Sequence, residues 1–205
     1  MRIARRNTEP DRTPYEGVGF VFFDLRTDQK HPIETLYSEP FVEVPSDWSI
    51  EGCSFFVQNC LVTDLPPSRL VAIEDNEVPS WLWRKAVNPA ALTAKDVFIG
   101  ENSVRNAIDR VVGGWTYLGW QGGYFDSEQD ARTFYDETRW LLCHRRFTPE
   151  LTEWQQTGVY WAYGMETAQP ETFVTEFQTG LVRRSKTHDI SVEEKQNHPR
   201  KRRTT

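Results

Sequence analysis

The sequence predicts an α+β fold that is mainly helical, with an N-terminal β-hairpin, a helical bundle-like domain, a small C-terminal hairpin and a disordered tail. Three observations predict it: a β-rich run at 18–25, two long helical stripes of apolar residues at 104–118 and 131–142, and a polar, basic C-terminus. With 205 residues, 38% of them apolar, the chain is long enough to bury one core.

The first section of the chain is typical of β-strands. Val18, Phe20, Phe22 and Leu25 form a run between Gly17 and a polar turn at 27–30. A second extended stretch, 33–44, follows and is interrupted by a proline. Two extended runs across a polar turn predict a hairpin or edge strands.

A helix carrying two cysteines is expected next, beginning near 45–47 and ended by the prolines of 63–67. Its apolar face consists of Cys53, Phe56, Val57, Cys60 and Leu61. Seven helical residues separate the Cα atoms of Cys53 and Cys60 by about 10.5 Å, beyond the reach of a disulfide. We expect both thiols to be buried in a core face. The segment 78–83 is predicted to be a short helix begun by Pro79 and Ser80, with a packing role for its tryptophans.

The clearest helix has its N-cap at Asn102-Ser103. Its apolar stripe consists of Val104, Ala107, Ile108, Val111, Val112, Trp115 and Leu118. The residues placed off that stripe are Arg105, Asn106, Asp109 and Arg110. Gly113-Gly114 is expected to weaken the helix, and the glycines at 119 and 122–123 to end it.

A second long helix is predicted to begin at Ser127, with Asp130 completing a capping-box-like pair. Its stripe consists of Ala131, Phe134, Tyr135, Thr138, Leu141 and Leu142. The short connection to the preceding helix predicts an antiparallel pair.

A third helix is expected to begin at Thr148-Pro149 and to end at Gly158. The aromatic run 159–164 that follows is either core wall or the floor of a pocket, and periodicity does not choose between them. Residues 173–177 and 180–182 predict a small hairpin.

Composition and charge disfavour several functional classes. No apolar run approaches the ~20 residues that span a bilayer, and no secretory signal is recognisable, so a cytoplasmic protein without membrane contact is expected. The chain has a net charge of −6. Residues 183–205 have a net charge of +5, so residues 1–182 have a net charge of −11. An acidic body disfavours nucleic-acid binding, and a short basic terminus is usually a solvated end.

The residues by themselves predict no catalytic or metal site. The common nucleotide, hydrolase and metalloprotease motifs are absent from the sequence. Cys143 and His144 are adjacent on a helix, so their side chains diverge by about 100° and do not form a nucleophile–base pair. Three cysteines and four histidines do not cluster at the spacing of zinc ligands.

Four ordered motifs carry a family resemblance. They are VEVPSDWS (42–49), NEVPSWLWR (76–84), ENSVRNAIDRVVGGWTYLGWQGGYFDSEQDARTFYDE (101–137) and TGVYWAYG (157–164). From about Tyr15 to about Ser185 the chain resembles the N-terminal region of class II ribonucleotide reductases, which are single-chain enzymes dependent on adenosylcobalamin. The resemblance implies an N-terminal domain at 14–165, the start of a connection to a catalytic barrel at 166–185, and a basic tail at 186–205.

The resemblance also implies a chemistry: reduction of a ribonucleotide to a 2′-deoxyribonucleotide through a thiyl radical, with a cysteine pair as reductant. It places Pro149, Thr157 and Gly158 at the edge of the substrate pocket. The chain departs from the family pattern at Glu150, Leu151, Thr152, Gln155 and Gln156. Glu150 adds a negative charge and Leu151 removes a hydroxyl where a phosphate would bind, so weak or no nucleotide binding is expected here.

No cysteine follows Cys143, so the family's catalytic cysteines have no counterpart in this sequence. We therefore expect the chain to be inactive alone. Adenosylcobalamin and nucleotide would bind only in the complete enzyme, and the expected partner is a catalytic-barrel chain if the gene is split. There are two alternatives. The chain is a non-enzymatic scaffold that docks through an exposed aromatic surface at 154–163, or it is a degenerate relic without a role.

Overall fold

The computed structural model describes residues 1–32, 41–62, 69–88, 100–165, 172–175 and 182–185. Two compact units divide the chain, Met1–Met165 and Glu166–Thr205. The larger unit combines five helices with small antiparallel sheets, so the predicted α+β, mainly helical class is confirmed. The predicted disordered tail lies outside the described residues. Among those described, no helix is both long enough and apolar enough to cross a bilayer.

The N-terminal sheet has three antiparallel strands rather than a simple hairpin. They are β1 (Phe20–Asp24), β2 (Gln29–His31) and β3 (Phe41–Pro45), in the order β2-β1-β3. Strand β2 begins within the predicted polar turn, while residues 33–40 lie outside the described part. Phe23 pairs with Val42 and is fully buried, whereas Phe22 pairs with Glu43 on the other face.

Helix α1 (Ile50–Asn59) carries the buried Cys53, as predicted, but it begins later than expected. Pro45 still belongs to β3, so the helix starts after Ser49, whose hydroxyl accepts a hydrogen bond from the Gly52 amide at 3.1 Å. The helix also ends earlier, and Cys60 is its C-cap. The segment 63–67, predicted to end it, lies outside the described residues. All three cysteines are free.

The segment between α1 and the long helices forms a second small sheet around an aromatic cluster. Strands β4 (Leu70–Ala72) and β5 (Lys85–Val87) pair antiparallel, and a short 3-10 helix at Ser80–Leu82 follows Pro79. Leu82 is fully buried in a cluster that includes Trp81, Trp83, Trp120 and Trp161. The predicted packing role of this segment is therefore confirmed.

Helices α2 (Val104–Gln121) and α3 (Glu128–Cys143) form the centre of the larger unit. Their predicted caps are confirmed, because the hydroxyls of Ser103 and Ser127 each accept a hydrogen bond from a backbone amide of the first turn. Asp109, early in α2, lies 3.1 Å from Arg139, late in α3, so the pair is antiparallel as expected.

The N-terminal segment lies along α3, an arrangement that the sequence pattern did not predict. The Glu137 carboxylate is only 8% exposed and accepts hydrogen bonds from the backbone amides of Arg6, Asn7 and Thr8 at 2.8–3.1 Å. The Thr8 hydroxyl and the Asn7 side-chain amide also donate to it, at 2.7 and 2.8 Å. One buried carboxylate therefore anchors three consecutive residues to the helix.

Two short helices complete the larger unit. Helix α4 (Leu151–Gln156) begins after Glu150, two residues later than the predicted Thr148-Pro149 cap, and no side chain caps it. The aromatic run forms α5 (Val159–Tyr163), which lies between two glycines with positive φ, Gly158 and Gly164. Its buried side chains make it a wall of the core. In the smaller unit, β6 (Thr172–Thr175) and β7 (Val182–Ser185) form the predicted antiparallel hairpin.

Candidate functional site

Residues 148–164, where the resemblance places the pocket edge, are held to α2 by a buried arginine. Arg110 was predicted to lie off the apolar stripe of α2, but its side chain is fully buried. Arg110 does lie off that stripe, and it is buried because α4 and α5 cover a second side of the helix. The guanidinium pairs with Glu101, with Nε 2.7 Å from the carboxylate, and neither side chain is exposed.

The remaining donors of Arg110 fix the backbone around it. Its Nη1 donates to the carbonyl of Thr157 at 2.6 Å. Its Nη2 donates to the carbonyls of Trp154 at 2.7 Å and of Cys60 at 3.2 Å. The buried charge is tolerated because each nitrogen of the guanidinium has a hydrogen-bond partner and Glu101 supplies the opposite charge. One side chain thereby joins the end of α1, α2 and the C-terminal part of α4.

Glu101 binds two further elements from the other side of this ion pair. The Tyr163 hydroxyl donates to its Oε1 at 2.6 Å, and the Val62 amide donates to its Oε2 at 2.8 Å. Burial, reinforced by the negative charge of Glu101, raises the pKa of Tyr163. Tyr163 therefore remains a neutral hydrogen-bond donor at physiological pH.

Glycines let the α4–α5 connection approach α2 closely. A Cβ added at Gly158 would lie 1.9 Å from the carbonyl oxygen of Arg110, and one added at Gly114 would lie 2.6 Å from the Cα of Gly158. A Cβ added at Gly113 would overlap the Trp161 ring at 2.0 Å. These helical glycines, which the sequence suggested as weak points, instead form the packing surface for α5.

Of the three residues predicted to edge a substrate pocket, only Pro149 lines either of two openings, an apolar groove and a polar cleft, that the described residues of the larger unit form. Pro149 is buried before α4 and lines an apolar groove. Thr157 and Gly158 lie at the other end of α4, about 9 Å along a six-residue helix. The Thr157 carbonyl is bound by Arg110, and the backbone of Gly158 packs on α2. Their role at a substrate pocket stays a prediction for the complete enzyme.

An apolar groove of about 490 Å³ opens between α1, the end of α3 and the start of α4. It is lined by Trp48, Gly52, Phe55, Phe56, Cys60, Leu142, Arg145, Phe147, Thr148, Pro149, Leu151 and Trp154. Three apolar side chains on it are exposed: Phe55 at 58%, Phe147 at 41% and Leu151 at 40%.

The aromatic surface predicted to be exposed at 154–163 is largely buried. Trp154 and Tyr163 are buried, because they pack against α1 and α2 within the chain itself. Tyr160 is exposed in that segment. Three exposed apolar side chains lie together on the groove instead, a site that the sequence did not identify because its walls come from separate segments.

A second opening, a polar cleft of about 520 Å³, lies between the N-terminal sheet and the N-terminal half of α2. Its charges pair with one another: Arg105 contacts Glu43 on β3, and Arg139 contacts Asp109 at 3.1 Å. Tyr15 donates to Asp109 at 2.7 Å, and burial together with that carboxylate raises the pKa of Tyr15. The cleft is therefore internally neutralised and leaves no uncompensated charge for a ligand.

The three thiols are buried in the core, although Cys60 also borders the apolar groove. Cys53, Cys60 and Cys143 are at most 2% exposed. Burial raises the pKa of Cys60 to about 11 and that of Cys143 to about 12, and it also raises the pKa of Cys53. Within the described residues, no three His, Cys, Asp or Glu side chains converge to hold a metal ion.

Comparison with known proteins places this fold in a family. The sequence profile of the class II vitamin B12-dependent ribonucleotide reductases matches residues 29–145. The chain is 35% identical over 191 residues to the vitamin B12-dependent ribonucleotide reductase of Bradyrhizobium diazoefficiens and 32% identical over 190 residues to that of Agrobacterium fabrum. Each match covers 91% of this chain and 15% of the relative, so the chain spans a small part of the relatives' length. The chain belongs to the class II vitamin B12-dependent ribonucleotide reductase family, whose N-terminal region it represents.

Proposed function

We propose that this chain serves as the N-terminal module of an enzyme that reduces ribonucleotides to 2′-deoxyribonucleotides in the cytoplasm. The observation that carries the proposal is the match of nearly the whole chain to two reductases named for that activity and for vitamin B12. The module's contribution is structural: the Arg110–Glu101 pair fixes the 148–164 segment in one conformation.

The chain does not catalyse the reaction by itself under this proposal. Ribonucleotide reduction through a thiyl radical needs a thiol that meets the substrate and a second pair of thiols that supplies electrons. Cys53, Cys60 and Cys143 are at most 2% exposed and have raised thiol pKa values, so none of them is poised to react. The reacting thiols therefore belong to the rest of the enzyme.

The cofactor and the nucleotide are bound by the complete enzyme. Adenosylcobalamin would supply the radical chemistry when bound to the complete enzyme, and among the described residues of this chain no three His, Cys, Asp or Glu side chains converge to hold a metal ion. Next to Pro149 the groove is apolar, and the exposed carboxylate of Glu150 opposes phosphate binding at this end, whereas Arg145 lies on the groove's rim. Diphosphate is the proposed phosphorylation state of the substrate of the whole reductase.

Two assays test the proposal. The isolated chain, supplied with ribonucleotides, adenosylcobalamin and a dithiol, is expected to form no deoxyribonucleotide, while the B. diazoefficiens reductase assayed beside it does. Turnover by the isolated chain that disappears in Cys143→Ala would contradict the proposed division of labour. The second assay uses a graft, in which this chain replaces the matching region of that relative. The graft is expected to retain reductase activity.

A further inference from the structure

The apolar groove between α1 and α4 lacks a partner among the described residues that surround it. Phe55, Phe147 and Leu151 expose large apolar side chains on one concave surface, next to the buried rings of Phe56 and Trp154. Exposed apolar side chains concentrated around a concave site are typical of an interaction surface. By contrast, the charges of the polar cleft are paired internally, so that cleft leaves little for a partner to satisfy.

We propose that the groove is the surface on which the remainder of the reductase packs, through an apolar side chain that enters between Phe55 and Leu151. This inference rests on the proposed function and adds the place of contact. In both relatives the matched region is 15% of a longer protein, so most of each relative lies outside it. A part of the same polypeptide is present at high effective concentration, so a groove with a few aromatic anchors suffices to hold it.

The geometry of the groove suits a packed contact rather than a small polar ligand. Its floor is formed by Phe56 and Trp154, whose rings meet edge to face at 4.9 Å. Its polar rim is Arg145, whose guanidinium lies over the Trp48 ring. An apolar centre surrounded by a polar rim is the usual anatomy of a protein interface.

Hydroxyl-radical footprinting of the isolated chain and of the graft tests the proposal. Tyr124 is a matched control, because it is 56% exposed against 58% for Phe55 and lies away from the groove. In the isolated chain, all three of Phe55, Phe147 and Tyr124 should be oxidised readily. In the graft, oxidation of Phe55 and Phe147 should fall roughly tenfold, as for side chains moved into a packed interface, while Tyr124 reacts as before.

Each other outcome overturns a specific step. If Phe55 is protected in the isolated chain at every concentration, this chain's own residues cover the groove. If its protection increases with protein concentration, a second copy of the chain covers it. A graft that reduces ribonucleotides while Phe55 stays reactive would refute the groove and leave the proposed function standing. A graft that reduces nothing or fails to fold would count against the proposed function itself.

A pair of variants gives a second readout. In the graft, Phe55→Ser should lower the unfolding temperature, because it opens a void in the interface. The same substitution in the isolated chain should have little effect, since the side chain is exposed there. Tyr124→Ser should have little effect in either protein, and an equal effect of Phe55→Ser in both would refute the interface.

Discussion

The buried carboxylate of Glu137 provides the sharpest test of how the N-terminal segment is attached. Burial acts to raise its pKa, but hydrogen bonds from Thr8, Asn7 and Arg6 outweigh that effect and lower the pKa from 4.5 to about 2. One pKa unit corresponds to about 1.4 kcal/mol. The ionised carboxylate therefore stabilises the fold by roughly 3 kcal/mol relative to its protonated form.

Glu137→Gln removes the charge and places an amide group among five donors. We expect a loss of about 3 kcal/mol in the free energy of unfolding at neutral pH. For a unit of this size that is a fall of roughly 6–12 °C in the unfolding temperature. Urea titration followed by tryptophan fluorescence measures it. Asp126→Asn is the matched control, because its ion pair with the N-terminus is exposed and should contribute well under 1 kcal/mol.

The pH dependence separates this explanation from a general packing defect. Because the folded-state pKa of Glu137 lies below its ordinary value of 4.5, its stabilisation is fully present above pH 4.5 and is lost as the pH falls toward about 2. The stability difference between wild type and Glu137→Gln should therefore narrow from about pH 6 to about pH 3. A difference that stays constant over that range, or a cost below about 0.5 kcal/mol at neutral pH, would refute the reasoning.

Three further predictions concern the Arg110 clamp and the thiols. Gly158→Ala should lower the free energy of unfolding by several kcal/mol, measured by thermal unfolding, since its Cβ would lie 1.9 Å from a backbone oxygen. Gly123→Ala is the control, also at positive φ but in open space, and should lower it by only about 1–2 kcal/mol. Equal losses in the two variants would contradict the close packing. Arg110→Met should destabilise the chain by about 3–5 kcal/mol by leaving Glu101 unpaired, and adding Glu101→Gln should recover part of it in a double-mutant cycle. A thiol reagent at pH 8 should label Cys143 slowly in native protein and fully in urea, because burial raises that thiol's pKa to about 12, and rapid native labelling would contradict it.

The regular helices were predictable because their signals are local. The caps at Ser103 and Ser127 follow from hydrogen bonding, and the structure confirms them. The apolar stripes follow from the 3.6-residue period and are confirmed in part, because Leu118 on α2 is exposed and Phe134, Tyr135 and Leu141 on α3 are half-buried. The start of α1 was predicted too early because Pro45 fits a helix start as well as the end of a strand. Sequence spacing does not separate those two uses.

The features that fix the candidate site were not predictable in the same way. The burial of Arg110, which lies outside the apolar stripe of α2, was not predictable from that stripe. It depends on α4 and α5, which lie more than forty residues away in the sequence. The available signal was the run of small residues at Gly113 and Gly114 on the same helix, which permits a second element to approach. The attachment of residues 6–8 to Glu137 carries no sequence pattern, since three of its five donors are backbone amides, which any residue supplies.

The reductase activity of the graft tests the central claim most directly. If this chain is the N-terminal module of a vitamin B12-dependent reductase, the B. diazoefficiens enzyme carrying it in place of its own matching region should convert ribonucleotides to deoxyribonucleotides with adenosylcobalamin and a dithiol. A graft with Cys143→Ala should do the same, because the thiols of this chain take no part in the chemistry. A folded graft that forms no deoxyribonucleotide would contradict the claim.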